Sequence, residues 1–399
     1  MNDVSFSRYI SLPGSCYYLP PCIKGFPFNV EIADAWSKIG SGAGNEESSS
    51  HAALGEYFER RHFYMEIFPE SKKTLAQMLK PDEATIFLAA FAQTCRKEIN
   101  AAKIKNHIFG ATKVIRTSDF SSCNVPTILL SLSYQHGEDD NFIYPSRDTC
   151  GCSFHKAPES SIFGAVKESL ERQFLTRFWL TKKCKRHLTN GAIEEALVNT
   201  STFALYQLLA KSGNIAALDI SDSRFPGVCI LLIYGNNRKN SHVHYCAGMA
   251  YAETLADGLH KSILELWQTF KFMHLYLHLK KPISGIKDPY LLHFLKCNNF
   301  ETFKEVMDFS IIPPQPAKPH IEFTTTTLLN TLKSLGIEGY LYTKTAQISG
   351  STFTFSKFFS PYLFLHMDNS KNVNIANAYS SSFTPEICAD RIINMTPFP

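Results

Sequence analysis

A short acidic pattern that occurs twice constrains this chain more than any other feature. The segment "GEYFERRHF" (Gly55 to Phe63) carries E-x-x-E-R at Glu56, Glu59 and Arg60, and "VKESLERQF" (Val166 to Phe174) repeats it at Glu168, Glu171 and Arg172. Spacings of three and four residues place each trio on one face of a helix. In the first segment Ala52 lies one turn before the acids and Phe63 one turn after, while Leu54, Phe58 and Met65 mark the opposite face. In the second, Gly164 precedes, Leu175 follows, and Phe163, Val166, Leu170 and Phe174 lie opposite, with Pro158 suited to the first helical turn. Both segments therefore predict helices of one plan, with the apolar side toward a core and a small residue, two acids and an arginine on the other.

Taken singly, each helix reads as a surface Glu-to-Arg pair at i,i+4, a contribution of a few tenths of a kcal/mol. Two glutamates three residues apart repel, however, and the same arrangement twice beside a small residue suits a place where metal ions bring the missing positive charge. Carboxylates are hard ligands appropriate to Mg2+, which keeps several waters and bridges to phosphates, and arginines meet phosphate oxygens. A third segment, "TLADGLHKSILELWQTFKFM" (Thr254 to Met273), has an apolar stripe of Leu259, Ile263, Leu266, Phe270 and Met273 opposite Lys261, Glu265 and Gln268. By pattern alone it is an amphipathic helix.

Between these helices, "TILLSLSY" (Thr127 to Tyr134), "VCILLIY" (Val228 to Tyr234) and "YLFLHM" (Tyr362 to Met367) have the length and content of buried strands, and "STFTFSKFF" (Ser351 to Phe359) alternates like a half-exposed one. "GSGAGNEESSS" (Gly40 to Ser50) reads as a loop leading into the first acidic helix, and "PPQPAKP" (Pro313 to Pro319) as a stiff connector. The expectation is an α/β chain of mixed sheets packed with helices. Its 399 residues, 44% hydrophobic, are ample for a large core. A net charge of +4, with basic residues interleaved among 36 acidic ones, argues against a nucleic-acid partner, and the run "KKCKR" (Lys182 to Arg186) receives no role. Eleven cysteines without a secretory signature fit a reducing cytoplasm, and no apolar run is long enough to span a membrane.

Three clusters resemble metal ligands in part: Cys150, Cys152 and His155; His242, His244 and Cys246; and His274 with His278. None has the carboxylate or second cysteine pair that a zinc site of these types calls for, so no zinc is expected. A nucleotide-binding Walker A loop is absent too, since "GSGAGNEES" lacks the G-K-[ST] ending.

Two E-x-x-E-R helices, the first after a glycine-containing loop, followed by a basic-x-x-x-E segment and a glutamine, resemble the YcaO family over most of the chain. The likeness is strongest to the cyclodehydratase subunit of microcin-type thiazole/oxazole peptide synthetases, which shares "GEYFERRHF", "DTCGCSFH" (Asp148 to His155), "ELWQ" (Glu265 to Gln268) and the terminal "PFP" (Pro397 to Pro399). The resemblance implies a single YcaO-type domain over residues 1–399, with a nucleotide site between the helices that carry the paired glutamates. It implies ATP and Mg2+ as cofactors, with Glu56, Glu59, Glu168 and Glu171 as the metal set. Arg60, Arg172 and Lys261 would face phosphates, and Ser153 and Glu265 match further nucleotide positions. In azoline-forming relatives a proline-rich tail reaches the active site. Pro397 and Pro399 match its last two prolines, Met395 stands at the earlier one, and the expected tail is 394–399. The Pro399 carboxylate is the candidate for proton handling or orientation, beside the alternative of a plug that orders the cleft. Two further departures are Ala52, where the family has serine, and Ser160 at an acidic position, with Glu159 displaced by one.

What the resemblance implies chemically is ATP-dependent closure of Ser, Thr or Cys side chains onto the preceding amide of a ribosomally made precursor peptide, giving oxazolines and thiazolines. Hydroxide leaves poorly at neutral pH and phosphate leaves well, so phosphorylating the amide oxygen makes loss of water feasible. The implied partners are a separate leader-peptide-binding subunit, a flavin-dependent azoline dehydrogenase and the precursor peptide. Thioamidation by the same phosphorylation, or a catalytically silent peptide-docking scaffold, are the alternatives.

Overall fold

Two glycines decide how the first acidic helix sits. In this computed structural model, which describes residues 15–19, 24–34, 39–135, 137, 139–280, 282–313, 321–368 and 372–398, the helix runs Glu46–Met65 and lies directly on the strand before it. A Cβ on Gly40 would overlap the Ala53 carbonyl, and one on Gly42 the Ser49 carbonyl, so only glycine permits the approach. The stretch expected as a loop is thus strand over Ile39–Gly44 and helix from Glu46. Asn45 caps the helix, its side chain accepting from the Ser48 amide at 2.8 Å, and Glu46 and Glu47 favour the positive helix end. Gly42→Ala is expected to cost about 3 kcal/mol of stability, because the clash is with backbone that cannot rotate away. Denaturant unfolding checks this, and a variant as stable as the parent would refute the close contact.

The strands are β1 (Ser15–Leu19), β2 (Phe28–Ala33), β3 (Ile39–Gly44), β4 (Ser71–Lys73), β5 (Phe109–Arg116), β6 (Ser122–Pro126), β7 (Cys152–His155), β8 (Lys183–Cys184), β9 (Arg186–His187), β10 (Asn214–Asp219), β11 (Val228–Gly235), β12 (Tyr245–Ala252), β13 (Ser310–Ile311), β14 (Tyr340–Ile348) and β15 (Ser351–Phe359). They form an antiparallel sheet β1-β2-β3, a sheet β12-β11-β10-β9, a parallel pair β13-β8, and a larger sheet β4-β5-β14-β15-β7 with β6 on β5. The architecture is the expected mixed α/β, with helices packed on the sheets.

The second acidic helix, Pro158–Thr181, packs against both large sheets, on β7 and β15 of one and on β11 and β12 of the other. It is therefore buried on nearly all sides from Ala165 onward, including Leu175 on the side expected to be polar. It begins at Pro158 and ends where Lys182 takes a left-handed conformation, φ 53°. The third helix, Leu255–His278, lays Leu259, Ile263, Leu266 and Met273 on β11 and β12, with Phe270 half-buried. In the first helix the buried apolar positions are Ala53, Tyr57 and Phe63, joined by the buried polar Ser49, Arg61 and His62, whereas Leu54 and Phe58 are only half-buried; Phe58 packs on the Phe154 ring of β7 at 5.8 Å. Contacts on two sides turn its core face away from the one expected.

β11 is the strand read from "VCILLIY". β15 is a strand too, but Thr354–Phe359 is buried throughout rather than alternating, because the second acidic helix covers one face and both neighbours are paired. The runs 127–134 and 362–367 are not strands; 127–133 and 363–367 are buried, Tyr362 is half-buried and Tyr134 is exposed. Residues Thr127–Leu129 form a 3-10 turn, and the Ser131 and Ser133 hydroxyls accept from the amides two residues on. Around Phe364 the backbone is satisfied by side chains: Gln173 bonds its N–H at 2.9 Å and its C=O at 3.1 Å, and Asn374 bonds Leu365 N and Leu363 O. Of the proline-rich connector only Pro313 falls within the described residues. Among the described residues, no helix is long and apolar enough to cross a membrane.

Candidate active site

The free edge of one sheet organises two of the acids. β12 ends its sheet, and its alternate amides at Met249 and Tyr251 donate to Glu265 Oε2 at 3.0 Å and to Glu171 Oε2 at 2.5 Å. Antiparallel strands present every second N–H to the same side, so the third helix and the second acidic helix meet along this edge. Lys167, one turn before Glu171, lies 3.6 Å from the same Glu171 oxygen and donates to the Tyr251 carbonyl at 3.3 Å. Its i,i+4 spacing to Glu171 is visible in the sequence, yet it was not among the residues the sequence singled out.

The first acidic helix faces this pair across β7. Glu56 accepts from the Ser41 amide at 2.5 Å and hydroxyl at 3.0 Å, and pairs with Arg60, which also donates to the Ile39 carbonyl at 3.0 Å. With its amide oxygen toward β3, Gln268 accepts from Ala43 N at 3.0 Å and Gly42 N at 3.3 Å, so the third helix is pinned to the glycine strand. Ser153 is buried on β7, and Gly164 leaves room for its hydroxyl one turn before Glu168.

The acids share one field. Burial, then Glu168 and Glu56, hold the Glu59 carboxyl well above its ordinary range. Glu168 is pushed up to about 8 by burial, with Glu171 and Asp148 adding and Arg172 opposing. Glu265 is pushed up to about 7 by burial and Glu171, against the Met249 amide, Arg172 and Lys167. Glu265 is solvent-exposed and Glu168 keeps 23% of its side-chain surface, so water reaches both groups and moderates the effect of burial, most of all on Glu265. Acids from three helices thus lack enough positive charge among themselves. Among the described residues, no three His, Cys, Asp or Glu side chains are already gathered to hold a metal ion. Mg2+ needs no such cage, because it takes one or two carboxylates and completes its shell with waters and substrate phosphates. The donor set fits a magnesium nucleotide.

Around the acids lie the cations. Arg172 Nε is 3.8 Å from Glu168 Oε1, and the field of Glu168, Tyr290, Glu171 and Glu265 outweighs burial to keep it charged. Lys357, a buried residue of β15 with no signal in the sequence, donates to the Asp148 carbonyl at 3.1 Å and lowers the Glu59 carboxyl. Lys261 is exposed one turn before Glu265, where the cations that act on Glu265 are Arg172 and Lys167. The tail is tied down as far as Phe398, with Pro397 buried; Pro399 lies outside the described residues.

Acids on two matched helices, a third helix completing the field and cations around them are arranged as in an enzyme that neutralises a polyphosphate with metal ions. The family model described as YcaO cyclodehydratase, ATP- and Mg2+-binding, matches residues 39–354, and the chain belongs to this family. It is 33% identical over 404 residues to the microcin B17-processing protein McbD of Escherichia coli, with 100% of both chains covered. The E. coli microcin synthetase McbBCD complex with pro-MccB17 bound contains a chain that superposes with a TM-score of 0.88 at 31% identity, covering 99% of this chain and 100% of that one. The YcaO protein of Methanopyrus kandleri bound with AMPPCP and Mg2+ shares the fold, with a TM-score of 0.56 at 10% identity over 90% and 88% of the two chains.

Proposed function

We propose that this chain is the cyclodehydratase subunit of a microcin-type azole synthetase in the cytoplasm. It converts Ser, Thr or Cys residues of a precursor peptide to oxazolines and thiazolines at the expense of ATP. The observation that carries this reading is the shared field of Glu59, Glu168 and Glu265, three carboxyls from three helices raised together by burial and by neighbouring acids. Full-length likeness to McbD supports the substrate class. The McbBCD complex supports a leader-binding subunit and a dehydrogenase as partners, with the precursor as substrate.

Glu56, Glu59, Glu168 and Glu171 are the residues that would hold Mg2+, with Glu265, Ser153 and Lys261 toward the nucleotide. When bound, the nucleotide supplies a phosphoryl group that turns the peptide oxygen into a good leaving group. Arg60 and Arg172 orient the phosphates and offset charge as it spreads in the transition state. β12 fixes Glu171 and Glu265 beforehand, so little reorganisation accompanies reaction. The tail through Pro397 orders the peptide side of the cleft.

The test combines the chain with its two partner subunits, precursor peptide, ATP and Mg2+. Each ring should remove one water from the peptide and release one ADP and one phosphate, read by mass spectrometry and phosphate assay. A gain in mass from exchange of oxygen for sulfur would favour thioamidation, and a peptide unchanged with no phosphate released would favour a scaffold.

A further inference from the structure

The last described residues are gripped at alternate carbonyls. Trp179 Nε1, on the second acidic helix, donates to Asn394 O at 2.8 Å; His293 Nε2 meets Thr396 O at 3.2 Å; and the Tyr290 hydroxyl donates to Phe398 O at 2.7 Å. Side chains from two helices thus hold three carbonyls of the tail. His293 and Tyr290 come from one face of a short helix, Pro289–Lys296, whose start is capped by Asp288 accepting from the Tyr290 and Leu291 amides. The Phe398 ring meets Trp179 edge-on at 6.1 Å.

The three donors are not equivalent. Trp179 also lies beneath the Arg391 guanidinium at 3.8 Å and belongs to the packing of the helix. Tyr290 and Arg172 each act on the protonation of the other. Burial pushes the Tyr290 phenol up to about 12, so it stays a neutral donor at physiological pH. Trp179, the other well-defined donor to the tail, lies two turns after Arg172 on the same helix.

We propose that Tyr290 is a positioning residue whose hydroxyl, bonded to the Phe398 carbonyl, holds the tail at Phe398 against the helix that carries Arg172. The inference rests on the reading of the chain as a cyclodehydratase, and it adds the group that keeps the tail in register with the arginine. Tyr290 touches neither phosphate nor peptide in this role. It acts through the tail.

Tyr290→Phe removes the hydroxyl and little else, and the test uses the assembled complex. Two readouts are taken on parent and variant. Hydrogen exchange across residues 390–398 needs no turnover, and peptide-dependent phosphate release gives kcat and the KM for ATP. The expected result is faster exchange confined to that segment and a fall in kcat of about tenfold, the loss of one hydrogen bond, with the KM for ATP and the melting temperature unchanged. Unchanged exchange overturns the inference. So does parental kcat, and so does a fall in kcat accompanied by a matching fall in melting temperature, which marks a purely structural role. A parent complex that forms no rings would instead count against the cyclodehydratase reading, while the exchange result would still decide whether Tyr290 holds the tail.

Discussion

Glu171→Gln is expected to lower peptide-dependent ATP turnover by roughly 100- to 1000-fold while leaving the fold intact. The substitution keeps the shape of the side chain and an oxygen able to accept from the Tyr251 amide, so the sheet-edge contact survives. What disappears is one negative charge at the meeting point of the second acidic helix, Lys167 and β12. Lys167 is then opposed only by Glu265 and Glu168, so the site attracts a divalent cation less strongly. Mass spectrometry of the peptide and phosphate release give the rate, and a thermal scan within about 2 °C of the parent would show that folding is retained. Turnover within about threefold of the parent would remove Glu171 from the metal set, since losing a ligand of a hard cation has a larger effect.

The second large effect is a stability that falls with pH in the metal-free protein. Glu168 sits at about 8 and Glu265 at about 7, against 4.5 for a free glutamate. Between these values the native state binds more protons than the unfolded chain, so the stability linked to these groups is complete below pH 4.5 and is lost as pH rises through 7 and 8. Burial works in the opposite sense on His62, His155, His260 and His274, whose lowered values contribute stability that is lost as pH falls below about 6.5. The window from about pH 6.5 to about 8 therefore isolates the carboxylates, since at higher pH the raised thiols of buried cysteines such as Cys123, Cys184 and Cys229 add a slope of the same sign. Without Mg2+ and nucleotide the melting temperature should drop by a few degrees across it. With Mg2+ and a non-hydrolysable ATP analogue the drop should vanish, because cations favour the ionised acids and displace their protons. Calorimetry in matched buffers decides, and a flat or rising curve in the metal-free protein would contradict a shared field of protonated acids.

Several elements were legible because their signals are local. Helical spacing of Glu56, Glu59 and Arg60, and of Glu168, Glu171 and Arg172, survives any tertiary arrangement, as do Pro158 at a helix start and the β-branched content of β11. The failures have one physical source. An apolar run reports burial, and it does not say who satisfies its backbone. Residues 362–367 meet Gln173, Asn374 and Asp148 side chains instead of a neighbouring strand, and no period in the sequence encodes a partner nearly two hundred residues away. The glycines of β3 were misread for the converse reason: they lack side chains to pack because a helix occupies the space. At the site, the glutamates were readable as a motif. Their anchoring on β12, and the parts of Lys357 and Tyr290, depended on contacts that only folding creates.

The outer margin of β12 carries one more consequence. A strand at the end of a sheet leaves backbone amides that must find partners, and every residue of β12 is buried where water cannot supply them. Here the partners are Glu171 and Glu265 themselves. Replacing both by alanine would orphan the Met249 and Tyr251 amides inside the protein, so that variant should melt at a lower temperature than the parent. Architecture and chemistry, in this molecule, draw on the same two side chains.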